Sequence, residues 1–313
     1  MNFKTVVNLY GDKMYKTLNE HYKEKFGCKV YKLSIDAGFT CPNRDGTCGV
    51  GGCIFCSSHG GGEFAEKPCD NILIQLENAK KRVESKNKSG KYVAYFQSFT
   101  NTYAPVEKLK KLYYEAISPD YIVGLAIGTR PDCISEECIE LLSEINKIKP
   151  VSIELGLQTI HENSVKYIRR GYENKVYCDI VKKLSEKGIE VVTHIIIGLP
   201  EETPEMMVKT TEYAVASGTD GIKFHLLHVL KNTDLEKEYN KGNFKCLTLE
   251  RYCEILRQCI TVLPESVVVH RITGDGAKKN LVAPAWSADK KTVLNYLKNN
   301  LFQDKSIDNK PSK

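Results

Sequence analysis

Cys41-Pro-Asn-Arg-Asp-Gly-Thr-Cys-Gly-Val-Gly-Gly-Cys-Ile-Phe-Cys56 is the stretch on which the reading of this chain turns. Cys41, Cys53 and Cys56 are spaced C-x11-C-x2-C, in a segment too rich in Gly and polar residues to be a helix or a strand. Gly46, Gly49, Gly51 and Gly52 let the backbone turn through positive φ and wrap closely around a compact object. Three thiolates on one loop suit an iron–sulfur cube that keeps one iron free of protein ligands, and such an iron can bind a small molecule and act on it. Two other readings stay open at this point. Cys48 or His59 would complete a closed tetrahedral zinc site, although one C-x2-C knuckle then crowds every ligand into one loop. A redox pair at Cys53 and Cys56 would normally open a helix, and Ser57-Ser-His-Gly-Gly-Gly62 does not read as one.

Outward from this loop, short β-branched runs alternate with helix-period runs. The pattern predicts strands over 30–35, 92–97, 121–127, 151–157, 190–197 and 221–230, and helices over 70–85, 105–117, 135–147, 176–187 and 204–217. Pro105 and Pro204 suit first helical positions, Thr203 and Ser135 suit N-caps, and Gly188 and Gly218 suit the residue just past a helix end. Alternation of this kind implies an α/β fold with a parallel sheet and right-handed crossovers. Six units fit an incomplete (β/α)6 TIM-like barrel, with an open doubly wound sheet as the alternative. The expected organisation is a helical extension over 1–29 with a helix over 12–26, the barrel over 30–245, and a small α/β appendage over 246–302. The appendage should hold helices over 248–263 and 289–300 and a strand over 267–271. A disordered tail is expected over 303–313.

In a parallel barrel the chemistry sits at the C-terminal ends of the strands. Here those ends carry Gln97, Ser98, Thr100 and Asn101, then Thr129, Arg130 and Asp132, then Glu154, Gly156 and Gln158 on one face of a strand. His194 and the pair Lys223 and His225 follow. Any one of them is most simply a satisfied scaffold residue; six strand ends behaving alike point to a shared cleft.

Asp36-Ala-Gly-Phe-Thr-Cys-Pro-Asn-Arg-Asp-Gly-Thr47 and Gly51-Gly-Cys-Ile-Phe-Cys56 resemble the radical S-adenosylmethionine (SAM) superfamily, and within it the YhcC/YtqA-type subgroup related to the Elongator catalytic subunit. The resemblance continues through Tyr95-Phe-Gln-Ser-Phe-Thr-Asn-Thr-Tyr103, Gly128-Thr-Arg-Pro-Asp132, Glu154-Leu-Gly-Leu-Gln-Thr159 and Gly198-Leu-Pro200. It reaches Arg271-Ile-Thr-Gly-Asp275 and Leu281-Val-Ala-Pro-Ala-Trp286, and so covers nearly the whole chain. It implies a radical SAM barrel, a [4Fe-4S] cluster on Cys41, Cys53 and Cys56 without Cys48, and SAM on the open iron. The implied SAM contacts are Phe55 beside adenine, Gln97, Gln158, Arg170 paired with the SAM carboxylate, His194, and Gly198. His194 is a departure, because relatives such as the oxygen-independent coproporphyrinogen oxidase carry a ribose-binding acid there. Gly128 in place of an Elongator-type Glu, and Tyr172 in place of the usual His, are two more.

The implied reaction is reductive cleavage of SAM to a 5′-deoxyadenosyl radical, supplied with electrons by an external donor of the flavodoxin or ferredoxin type. The implied substrate is the wobble uridine of tRNA, its carboxymethylaminomethyl side chain at C5 becoming aminomethyl. No residue is assigned a catalytic role. Radical SAM chemistry on a small metabolite or peptide is the second enzyme reading, and a non-catalytic zinc-dependent RNA-binding protein is the reading of a different class. A net charge of +6 permits a nucleic-acid partner without demanding one. Lys278, Lys279, Arg271 and Trp286 are candidates to contact RNA. No apolar run is long enough to span a bilayer, and no signal peptide follows Met1, so no membrane partner and a cytoplasmic location are expected. The cysteines outside the loop read as free thiols of a reducing compartment.

Overall fold

The computed structural model describes residues 15–62, 65, 71–274 and 278–301. β1 (Lys16–Thr17) runs straight into α1 (Leu18–Phe26), because Thr17 and Glu20 form a reciprocal capping box. Five strand–helix units follow: β2 (Tyr31–Ile35) and α2 (Ile72–Lys81), β3 (Tyr92–Phe96) and α3 (Val106–Ile117), β4 (Ile122–Thr129) and α4 (Glu136–Asn146), then β5 (Val151–Gln158) with α5 (Glu162–Tyr167) and α6 (Asn174–Glu186), and β6 (Glu190–Ile197) with α7 (Pro204–Ala216). After β7 (Gly221–Leu226) come β8 (Val229–Leu230), α8 (Asp234–Asn240), α9 (Leu249–Thr261), β9 (Val268–Arg271), β10 (Leu281–Ala283) and α10 (Lys290–Asn300).

Eight strands form one parallel sheet in the order β1-β9-β7-β6-β5-β4-β3-β2. It therefore exceeds the six expected strands at one edge. β9, from the segment read as an appendage, lies beside β7 inside the sheet, and β1 closes the edge. Two residues of β1 are too few to leave a periodic signal. The run expected over 221–230 breaks after Leu226, and Val229–Leu230 pairs antiparallel with β10 in a separate ribbon. Ser135 and Thr203 cap α4 and α7 with their hydroxyls, whereas Pro105 is the N-cap residue of α3 rather than its first helical one. Residues 12–14, the tail over 303–313, Cys69 and Asp275 lie outside the described residues.

Alternation along each strand divides the sheet into two faces. Leu33, Ile35, Ala94, Phe96, Leu125, Ile127, Ile153, Leu155, Ile195, Ile197 and Phe224 pack outward under the helices in one continuous core. Each such fully buried aliphatic contributes about 1.5–3 kcal/mol. The inner face carries Tyr95, Glu154, His194 and Lys223. The sheet curls into a half-barrel, so side chains from β2, β5 and β7 meet although β2 and β5 are three strands apart. α1 closes the N-terminal end of that interior. Tyr22 and Phe26 pack with Val93, Tyr95 and Ala126, while His21 and Lys25 meet Glu190 at the start of β6.

Candidate functional site

A cavity of about 310 Å3 opens at the C-terminal ends of the strands. Cys41, Cys53 and Cys56 line its rim; Cys48 is exposed and does not line it, and neither does His59. The loop that carries them is shaped by glycine in two different ways. Gly46, Gly51 and Gly52 have φ of 95°, 85° and 82°, whereas Gly49 has ordinary φ and is required because a Cβ there would collide with the Asn43 side chain. Arg44 donates to the Cys56 carbonyl oxygen at 3.0 Å and to that of Ser57, which holds the end of the loop. Burial, and after it the neighbouring Cys56 sulfur, push the Cys53 thiol up to about 11, with Arg130 opposing. Among the described residues no three His, Cys, Asp or Glu side chains are grouped to hold a single metal ion. Thiolates that each reach a different iron of a cube are spread more widely than the four ligands of one zinc.

Behind the cysteines the turn over 168–172 forms a cradle. Asn43 Nδ2 lies 2.5 Å from the Arg169 carbonyl oxygen and 3.5 Å from the Cys53 sulfur, and Ile54 donates to the Ile168 carbonyl oxygen at 3.3 Å. Arg169 and Gln158 both adopt positive φ, 56° and 67°, a conformation that costs energy without glycine. Arg170 pins this turn to the end of β5. Its guanidinium donates to the carbonyl oxygens of Leu157, Thr159 and Tyr172 and to Asn174 Oδ1, over distances of 2.7–3.1 Å. All five of its N–H groups are engaged. Pairing of Arg170 with the SAM carboxylate, as expected from the sequence, would have to exchange one of these hydrogen bonds. Arg130 is similarly committed, bidentate to Asp132 at 3.0 and 2.7 Å and donating to the Arg170 carbonyl oxygen at 2.8 Å. Both guanidinium groups stack on Tyr172, whose hydroxyl donates to the Gly156 carbonyl oxygen.

The floor of the cavity is built around Glu154, whose carboxylate is fully buried. It accepts from Lys32 Nζ at 2.6 Å, Tyr95 hydroxyl at 2.6 Å, His194 Nε2 at 3.0 Å, and Lys223 Nζ. Burial opposes its ionisation, but Lys223 and Lys32 outweigh that and hold the carboxyl well below the usual range. Lys223 pays the opposite way: burial drives it down to about 7, Glu154 opposes, and Lys32 and Arg271 add repulsion. Burial also lowers His194, and lowers His225 further with help from His194 and Arg271, so both rings are neutral. The two rings lie 4.9 Å apart, and the buried Nε2 of His225 has no hydrogen-bond partner among the described residues.

Of the expected SAM contacts, Phe55, Gln97, Gln158, Arg170 and His194 line the cavity. Gln97 Nε2 donates to the Gly61 carbonyl oxygen at 3.0 Å. Gly198 does not line it: with φ of 97° it turns the chain beneath Leu247. Trp286 is spent on scaffold as well, donating to the Leu247 carbonyl oxygen at 2.9 Å beside Tyr252. Lys278 and Lys279 are exposed, while Arg271 lines the cavity. Sequence reasoning brought Glu154, His194 and Lys223 to one cleft but missed Lys32 and Tyr95 as partners of Glu154. Lys32 did carry a signal, since Leu33 and Ile35 face outward and alternation sends Lys32 inward.

Residues 41–214 match the profile described as the Radical SAM superfamily, and residues 219–303 match its C-terminal domain. The uncharacterized protein YtqA of Bacillus subtilis is 43% identical over 93% of this chain and 90% of its own length. The tRNA uridine(34) acetyltransferase of Methanocaldococcus infernus is 28% identical over 49% of this chain and 29% of its own. Among solved structures, archaeal Elp3 from Methanocaldococcus infernus superimposes with a TM-score of 0.65 at 18% identity, covering 88% of this chain and 64% of that one. That last likeness shows the fold: a curled parallel half-barrel with outer helices.

Proposed function

The chain belongs to the radical SAM superfamily, and we propose that within it the protein modifies the wobble uridine of tRNA, converting a carboxymethylaminomethyl arm at C5 to aminomethyl. Radical SAM enzymes use a [4Fe-4S] cluster and SAM, which together supply a one-electron route to a carbon-centred reaction. The residues present fit that pair. Three cysteine sulfurs lie on one rim, with Gly52 and Gly60 letting Arg44 and Phe99 pack close beside them, and among the described residues no grouping is one for a single metal ion. Cys41, Cys53 and Cys56 would hold the cluster, and Phe55, Gln97, Gln158 and His194 would face SAM. Arg170 holds the backbone of the cradle through Leu157 and Thr159 and also lines the cavity.

The observation that carries this reading is a cavity with the cysteine rim above and a buried charged floor below. The substrate class comes from the relative that acts on tRNA uridine(34), and an anticodon loop offers unstacked bases that such a cleft can take in. What this chain's residues do is aim and exclude: the half-barrel shields the reacting carbon from water, and the Glu154 assembly fixes the floor. The test supplies anaerobic protein with reductant, SAM and tRNA from cells lacking the gene, followed by nucleoside analysis. The expected outcome is loss of the carboxymethylaminomethyl nucleoside and gain of the aminomethyl one. Cys53→Ala protein should lose its iron and do neither, and Cys48→Ala protein should do both. If that tRNA neither binds nor is changed by iron-replete protein, the substrate reading falls.

A further inference from the structure

Asn43 stands two residues after Cys41 and is 5% exposed, packed between the cysteine loop and the cradle behind it. Its neighbours orient the side-chain amide. One end lies 2.5 Å from the Arg169 carbonyl oxygen, which can only accept, so that end is Nδ2 and not Oδ1. The same Nδ2 lies 3.5 Å from the Cys53 sulfur, so its two N–H groups are divided between an oxygen and a sulfur. Oδ1 points the other way, toward Gly49 and Gly171, and a Cβ at Gly49 would collide with it. The backbone is held as well, since Gly52 donates to the Asn43 carbonyl oxygen at 2.8 Å. The Cys53 thiol itself lies 3.8 Å from the Arg169 carbonyl oxygen. A thiolate has no proton to offer that oxygen, so with Cys53 on iron the Asn43 amide bridges two electron-rich atoms.

We infer that Asn43 is a positioning residue for the cluster, its amide donating to the Cys53 thiolate and raising the cluster's reduction potential. The inference rests on the reading above in which Cys41, Cys53 and Cys56 hold that cluster, and it is independent of the substrate. One electron enters from the external donor and no proton accompanies it, so the reduced cluster carries one more negative charge, part of it on the sulfurs. A hydrogen bond to sulfur favours that state over the oxidised one. Asn43 therefore makes the cluster easier to fill and correspondingly less reducing toward SAM.

The experiment uses the full chain with its cluster reconstituted anaerobically and SAM omitted. A redox titration followed by electron paramagnetic resonance of the reduced cluster gives its potential. Asn43→Leu keeps a side chain of similar size and removes both N–H groups. At a fixed solution potential its reduced-to-oxidised ratio should fall about tenfold, which is about 59 mV for one electron. Asn174→Ala is the control, because it takes one acceptor from Arg170 and loosens the same cradle without a change of charge or a contact with sulfur. Its ratio should stay within about twofold of the wild type, a shift under about 20 mV. Asn43→Ala is read in the same way where Asn43→Leu loads no iron, and a further measurement needs no variant. Protein grown on asparagine carrying heavy nitrogen in its side-chain amide should show coupling of that nitrogen to the reduced cluster in pulsed resonance, since spin on a ligand sulfur reaches a group that donates to it. Absent coupling, an unchanged or raised potential in the Asn43 variants, or an equal fall in Asn174→Ala overturns the assignment. If Cys53→Ala instead keeps its full iron, the cluster reading fails and not this inference alone.

Discussion

The rim and the floor of the cavity both bury cations, and they do so for opposite reasons. At the rim, Arg170 is 2% exposed and every N–H meets a carbonyl or amide oxygen of the protein. At the floor, Lys223 is 5% exposed, and its ammonium shares one carboxylate with Lys32. The first cation is an internal strut joining the 168–172 cradle to β5. The second draws on a counter-charge that another ammonium also uses. Burial alone does not separate a cation saturated by acceptors from one that shares a single carboxylate; a count of donors against acceptors does.

The largest effect should come from removing the acceptor common to the floor. Glu154→Ala leaves Lys32 and Lys223 buried without a counter-charge and should cost about 3–5 kcal/mol in urea unfolding. A loss below about 1 kcal/mol would show that the floor is more open to water than the geometry implies. At the rim, Arg170→Lys should cost about 3 kcal/mol, because one ammonium cannot satisfy four acceptors in a planar fan. SAM affinity should fall with it only as far as the cradle loosens. A large SAM defect at full stability would show that Arg170 contacts SAM directly. The smallest effect is expected for Lys223→Met, within about 1 kcal/mol at pH 7, since Glu154 keeps Lys32, Tyr95 and His194 while one buried charge is removed. The pH dependence sharpens this. With Lys223 at about 7 in the folded protein against 10.5 unfolded, the unfolded chain binds the extra proton between those values. Stability should therefore rise with pH across that window, by up to about 1.4 kcal/mol per unit, and Lys223→Met should flatten the rise.

The strand–helix alternation was legible because each unit is long enough to repeat a period, and β6 falls on the residues expected for it. β9 was also legible as a strand over 267–271, but its place in the sheet was not; β1 went unread because two residues leave little pattern, and both are placed by partners 252 positions apart in sequence, as in Lys16 opposite Val268. The cysteine loop could be read from spacing because its residues are neighbours along the chain. Lys32 as a partner of Glu154 could not, because the two are separated by 122 residues and meet only when the sheet curls. The placing of Arg170 at the cavity was legible, but the acceptors that engage it in this structure were not, because spacing says nothing of them. Gly198 shows the same limit, since spacing does not show the turn that it makes under Leu247.

α1 stoppers the far end of the half-barrel with Tyr22 and Phe26, which makes the interior a cul-de-sac. A blind channel has one mouth, and here the mouth is the cysteine rim. On the function proposed above, SAM and substrate share that entrance, and whatever reaches Lys223 has to pass the cysteine rim. Loading then resembles filling a narrow vial, in which the slimmer occupant can still slip past and the bulkier one seals it. On the same proposal, the short, flexible arm of a nucleoside would enter last and its base would close the mouth.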